Sequence, residues 1–129
     1  MNNKSSQIIN ISSQTVEGNC NEKCSFKYKY VSTELLVQKK ENMIYIVSNN
    51  IEPVVKYNNY SYYVSSAFIT SPSLHKFNNN RTTGELIIEH MPILGGKKLY
   101  VCLPIIQSNN YSESGSTLSV IIQSISLNI

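Results

Sequence analysis

From Ala67 to His90 the chain reads AFITSPSLHKFNNNRTTGELIIEH, and the punctuation of this stretch decides the fold. Aromatic and β-branched residues from Tyr60 to Ile69 predict a long strand. Ser71-Pro72-Ser73 ends it, because proline has no N–H to give to a ladder and restrains the residue before it. Asn78-Asn79-Asn80-Arg81 predicts a turn, since asparagine tolerates left-handed backbone and bonds its own main chain. Glu85 to His90 then alternates. Leu86 and Ile88 would face one side, and Glu85, Ile87 and Glu89 the other, which is the pattern of a half-buried strand.

The same reading extends outward. Phe26 to Val31 alternates and predicts another strand. Glu34 to Val37 and Met43 to Val47 follow as short strands around the charged turn Lys39-Lys40-Glu41-Asn42. Lys98 to Ile106 predicts a long strand after a Gly95-Gly96 turn, and Pro104 within it implies an edge position, a bulge or an irregular end. In the tail, Leu118, Ile121, Ile122 and Ile125 fall at helical spacing, with Ser116 or Thr117 as N-cap. A helix over Ser116–Ser126 is expected there, although the β-branched content argues for a strand. No Gly/Ser or Pro-rich linker divides the 129 residues, so a single mainly-β domain with one C-terminal helix is expected over residues 1–129.

Composition narrows the function. Hydrophobic residues make up 41%, enough for a core, while charged residues are only 15%. Asn, Ser and Tyr fill the gap, and this bias suggests an AT-rich genome, such as that of a large DNA virus or a protist. The net charge is +3. The cations are scattered from Lys4 to Lys98, without the dense stripe of a nucleic-acid binder. Lys27, Lys29, Lys39, Lys40, Lys97 and Lys98 are the candidates for a patch that the fold would assemble for a polyanion. The start lacks the apolar core of a secretory signal, and no apolar run approaches a membrane span. An anchor would have to lie outside this sequence.

Catalytic groups are few. Two histidines, eight acidic residues and three cysteines are available, and no acidic residue is Asp. A Ser-His-Asp triad cannot be completed, and a Ser-His-Glu variant lacks a nucleophile elbow. No Gly-rich phosphate loop is present. Cys20 and Cys24 sit in a loop-like segment as either a small disulfide or two free thiols, and three cysteines do not make a paired zinc motif. Cys102 falls inside a strand pattern and reads as a small core residue. His75 follows a turn. His90 with Glu89 reads as a polar pair at a sheet edge, and main-chain bonding is the simplest role for each histidine. Tyr57, Tyr60, Tyr62 and Tyr63 crowd one segment, with packing as their simplest use.

The stretch from Ala67 to His90 resembles the core of the α-carbonic anhydrases. That family reads approximately H-F-H-S-P-S-E-H, then an Asn/Gly turn, then E-L-H-L-V-H. Here the corresponding residues are Phe68-Ile69-Thr70-Ser71-Pro72-Ser73-Leu74-His75, the turn at Asn78–Arg81, and Glu85-Leu86-Ile87-Ile88-Glu89-His90. Gly95 to Val101 is similar to the next family strand, and Gln7-Ile8-Ile9-Asn10-Ile11 to the family's N-terminal Q-S-P-I-N-I. The resemblance implies a partial carbonic-anhydrase-like mixed sheet, about the first half of a family domain, as a reduced domain or a fragment.

Carried over residue by residue, the resemblance places Phe68, Thr70 and Ile87 where the family holds zinc. Phe and Ile offer no lone pair and a single hydroxyl is a poor ligand. The expectation is therefore no metal, no cofactor and no hydratase chemistry. Ser71, Pro72, Ser73, His75, Glu85 and His90 remain as structural remnants. Glu85 would lose its purpose, because the histidine its counterpart orients is Ile87. Zinc-less domains of this kind serve as binding modules, including on poxvirus envelopes, where one attaches to sulfated glycosaminoglycan. The resemblance thus implies a non-catalytic virion protein that partners other particle or assembly proteins, with no nucleic acid. A surface module for a sulfated glycan is the alternative. An enzyme with a relocated site, using His75, His90 and Glu85 or Glu89, is a further one and requires both histidines to meet in one cleft.

Overall fold

A computed structural model of the chain describes residues 10–12, 25–30, 35–40, 43–48, 50–107 and 122. Ten strands lie among them: β1 (Asn10–Ile11), β2 (Phe26–Tyr28), β3 (Leu35–Lys40), β4 (Met43–Ser48), β5 (Val55–Tyr57), β6 (Tyr60–Thr70), β7 (Lys76–Phe77), β8 (Asn80–Arg81), β9 (Gly84–Pro92) and β10 (Leu99–Ile105). The main sheet runs β10-β9-β6-β4-β3, with β5 on the early part of β6 and β2 on β5. Its pairs are antiparallel. A small second sheet, β1-β7-β8, contains one parallel pair, β1 with β7. The mainly-β expectation therefore holds, and Pro104 does lie on an edge strand, β10. The expected helix over Ser116–Ser126 lies outside the described residues apart from Ile122, as do Cys20 and Cys24. Of the expected Lys39-Lys40-Glu41-Asn42 turn, Lys39 and Lys40 instead continue β3, because their main chain pairs with Met43 and Ile44 on β4, and Glu41 and Asn42 lie outside the described residues.

Register explains which side chains meet. Across β6 and β9, Phe68 pairs with Ile87 and Thr70 with Glu85. Across β9 and β10, Cys102 pairs with Ile87 and Tyr100 with Glu89. Directly paired residues share a face, and alternate residues along a strand do too. One face thus carries Tyr45, Phe68, Thr70, Glu85, Ile87, Glu89, Tyr100 and Cys102. The other carries Ile44, Ile46, Ile69, Leu86, Ile88 and Ile105. On that second face Ile44 and Ile69 form a buried core, with Ile46, Leu86, Ile105 and Ile122 packed against it. Burying each such side chain stabilises by about 1.5–3 kcal/mol. A bulge at Ser65 offsets the register between Val64–His90 and Ser66–Glu89, keeping both ends of the long β6 on the correct faces.

The asparagine pairs do what their chemistry favours. Asn58 and Asn59 have φ of 49° and 71°, and Asn78 and Asn79 have φ of 48° and 70°. Each pair forms the two-residue link of a hairpin, β5–β6 and β7–β8. Two successive positive φ values give a turn whose twist matches the flanking strands. Gly95 and Gly96 occupy positive φ in the β9–β10 connection.

Candidate functional site

The connection between β6 and β9 builds the site. It leaves β6 through a cis Ser71–Pro72 bond. The Ser71 hydroxyl donates to the Thr83 carbonyl (2.9 Å). Ser73, 1% exposed, bonds Thr82 twice: its N–H donates to the Thr82 carbonyl (3.1 Å) and its hydroxyl accepts from the Thr82 N–H (2.9 Å). The same Ser73 hydroxyl donates to the His75 carbonyl (2.7 Å). These bonds fold the connection back over the sheet and deliver His75 to Glu85.

Glu85 is fully buried. Its Oε1 accepts the His75 backbone N–H at 2.8 Å, and its Oε2 lies 2.7 Å from His75 Nδ1. The expectation that Glu85 would be left without a purpose is corrected here. It ties the connection to the sheet through backbone and ring together. Cys102, on β10, faces the same carboxylate. Burial, and then the charge and hydrogen bonding of Glu85, push its thiol up to about 12. In the sequence Cys102 reads as a small core residue; the β9–β10 register, which sets it opposite Ile87, brings it to His75 and Glu85. Ligand atoms of His75, Glu85 and Cys102 lie within 4.8 Å of one another. Next to them Thr70, 6% exposed and paired with Glu85 across β6 and β9, buries a hydroxyl oxygen that has no hydrogen-bond partner among the described residues.

His90 stands on the opposite face. Its Nδ1–H donates to the Leu99 carbonyl (3.1 Å), so Nε2 accepts from the Tyr30 hydroxyl (2.9 Å). Burial lowers its pKa, partly offset by the main-chain bonds. The same burial, with Tyr28 nearby, raises that of Tyr30. The main-chain role expected for His90 is what it performs. The Glu89–His90 pair does not form, because adjacent strand residues point to opposite faces, and β9 is interior rather than an edge. Glu89 instead meets Ser65 (2.8 Å), Tyr100 (2.7 Å) and Lys98 (3.6 Å). Burial would raise its carboxyl, but the two hydroxyls and the ammonium outweigh it and hold the pKa low. Since His75 and His90 sit on opposite faces, the structure does not bring them into one cleft, and the relocated site built on both loses its basis.

The six lysines lie on three parts of the sheet. Lys39 and Lys40 are neighbours on β3 and point to opposite faces, with Lys40 over the Tyr45 ring at 4.7 Å. Lys97 and Lys98 lie at the far end of β9 and β10, four strand spacings of about 4.8 Å away. Lys27 lies on β2 and Lys29 just beyond it, at the other side of β5.

On the face of Glu85, the positions aligned with the family's zinc ligands carry Phe68, Thr70 and Ile87. Phe68 and Ile87 are directly paired, Ile87 is 2% exposed, and Phe68 stacks on Tyr45 at 6.4 Å. An open apolar pocket of about 220 Å³ lies on the other face, lined by Tyr30, Ile46, Val54, Val64, Leu86 and Ile88 among others.

Comparisons with known proteins agree on the fold. No family model and no curated protein matches the sequence. Among solved structures, dioscorin complexed with ascorbate superposes with a TM-score of 0.66 at 14% identity, covering 80% of this chain and 42% of that one. The α-carbonic anhydrase from Thermovibrio ammonificans, complexed with sulfanilamide, superposes with a TM-score of 0.61 at 18% identity, covering 79% and 43%. The chain has a carbonic-anhydrase-like fold and spans less than half the length of these two structures.

Proposed function

We propose that the protein is a non-catalytic carbonic-anhydrase-like module that works by assembly with other proteins, as a structural or minor component of a virus particle. One observation carries the non-catalytic part: Phe68, Thr70 and Ile87 stand at the three aligned zinc positions, with Phe68 and Ile87 packed as a pair. Neither ring nor alkyl group can hold the ion that would acidify water. Assembly is supported by the sheet edges. Leu36 and Val37 on β3 are each 61% exposed, and Tyr100 and Leu103 on β10 are 51% and 45% exposed. Edge strands with apolar side chains are templates for another chain. The particle setting rests on the AT-rich composition and the family resemblance. A surface module for a sulfated glycan, bound through Lys27, Lys29, Lys39, Lys40, Lys97 and Lys98, is the alternative reading, and binding that weakens steeply with salt would distinguish it.

Two measurements test the reading. Stopped-flow hydration of carbon dioxide by the purified chain with added zinc should match the buffer rate; a zinc-dependent rate above it ends the non-catalytic reading. Quantitative mass spectrometry of purified particles should find a fixed copy number relative to the coat protein, and absence from particles ends the assembly reading.

A further inference from the structure

We infer that His75, Glu85 and Cys102 form a binding site for a transition-metal ion of the Zn²⁺ class, displaced from the aligned zinc positions. Their ligand atoms converge within 4.8 Å of one another, the one such grouping among the described residues. An imidazole nitrogen, a carboxylate oxygen and a sulfur are the donors that Zn²⁺ takes, and a mixed set of this kind excludes Ca²⁺ and Mg²⁺. Two donors sit on adjacent paired strands, β9 and β10, and the third is held by the Ser73–Thr82 bonds. Scaffolding of that kind keeps ligands in place before a metal arrives.

The second observation is Thr70. Its buried hydroxyl has no partner among the described residues, on the β6 residue directly opposite Glu85. A hydroxyl buried that way is destabilising. If the cluster were only a hydrogen-bonded triad, this oxygen would have no use. With a metal, it supplies a fourth oxygen or bonds a water that fills the fourth position.

The metal replaces a proton. Nδ1 and Oε2 are 2.7 Å apart, a hydrogen-bond separation, whereas atoms sharing a tetrahedral zinc lie about 3.2–3.8 Å apart. Binding therefore rotates the carboxylate away from the ring by less than an atomic diameter. The Cys102 thiol gives its proton to solvent as the sulfur–metal bond forms, and the proton between Nδ1 and Oε2 passes to Nε2 or to solvent, which frees the Nδ1 lone pair and the carboxylate oxygen for the metal. Because the ligands must be deprotonated to bind, affinity rises with pH. The product is a clamp joining β9, β10 and the β6–β9 connection. It is independent of the proposed function, since a clamped metal and an absent hydratase activity are compatible.

Cobalt titration of the Cys20→Ser/Cys24→Ser full chain tests the site without interference from the other two cysteines. The expected result is one equivalent bound, with a thiolate-to-cobalt charge-transfer band that Zn²⁺ displaces. Adding Cys102→Ala should abolish the band and weaken binding at least about 100-fold, and Thr70→Val should weaken it about tenfold. No band in the Cys20→Ser/Cys24→Ser chain, or a band that survives Cys102→Ala, overturns the site. If Cys102→Ala is unfolded by circular dichroism, alkylation of Cys102 with and without Zn²⁺ decides: protection supports the site, and none overturns it.

Discussion

His90 has no exposed surface and is bonded at both ring nitrogens, by the Leu99 carbonyl and the Tyr30 hydroxyl. That arrangement suits a neutral ring, because one nitrogen donates and the other accepts. Its folded pKa lies below its ordinary value of 6.5, so the unfolded chain takes the proton first. The neutral ring's stabilisation is complete above that value and is lost as pH falls through it toward the lower folded pKa. Urea unfolding between roughly pH 7 and 5 should show stability dropping with pH, and His90→Gln should flatten that part of the profile. Gly84 has a different constraint. A β-carbon there would sit 2.8 Å from the Thr70 carbonyl oxygen and 3.0 Å from Ile122 Cδ1. The carbonyl belongs to paired backbone and cannot retreat, so Gly84→Ala should cost about 1–3 kcal/mol in thermal or urea unfolding.

The two asparagine hairpins set the registers that the site depends on. Asn59 sits at a φ of 71°, where a β-branched side chain is strained. Asn59→Val should destabilise by about 1–2 kcal/mol in urea unfolding, while Asn59→Gly should be neutral or stabilising. Elements of this kind were legible in the sequence where the signal was local. The alternation of Glu85 to His90 correctly separates Leu86 and Ile88 from Glu85, Ile87 and Glu89, and the asparagine pairs mark their turns. The two-residue strands β1, β7 and β8 left no trace, because a run that short has no period. The site was legible in part. His75, Glu85 and Ser73 stand out through a family pattern, but Cys102 joins them only through the pairing of β9 with β10. The sequence distance of the two strands' partners carries no information about which residue faces which. Lys39 and Lys40 show the converse: closeness in sequence places strand neighbours on opposite faces.

At the scale of the molecule, the main sheet has three end strands among the described residues, β10, β3 and β2, and the first two differ in character. β3 presents Leu36 and Val37 with two lysines at its end, and β10 presents Tyr100, Leu103 and a proline. Pro104 removes one donor from the β10 edge, which blunts it against further pairing. β3 has no proline and is the better template for a partner strand. Val37→Lys, at a position 61% exposed, should leave stability within about 0.5 kcal/mol. It should lower incorporation into particles, read as copy number by mass spectrometry. Unchanged copy number would place the contact elsewhere.

The direct pairing of Phe68 with Ile87, with Thr70 two residues along, has a consequence for the paths open in sequence space. The backbone already aligns three positions on one face where three imidazoles would meet an ion. Yet each route from this sequence to that one passes through variants carrying a single histidine. At position 68, a lone imidazole would give up the stacking of Phe68 on Tyr45 and its direct apolar pairing with Ile87, a loss of about 0.5–1.5 kcal/mol. No compensating ion could be held until all three were present. Single substitutions toward three imidazoles therefore lose packing before any ion could offset the loss, although the backbone frame would be unchanged.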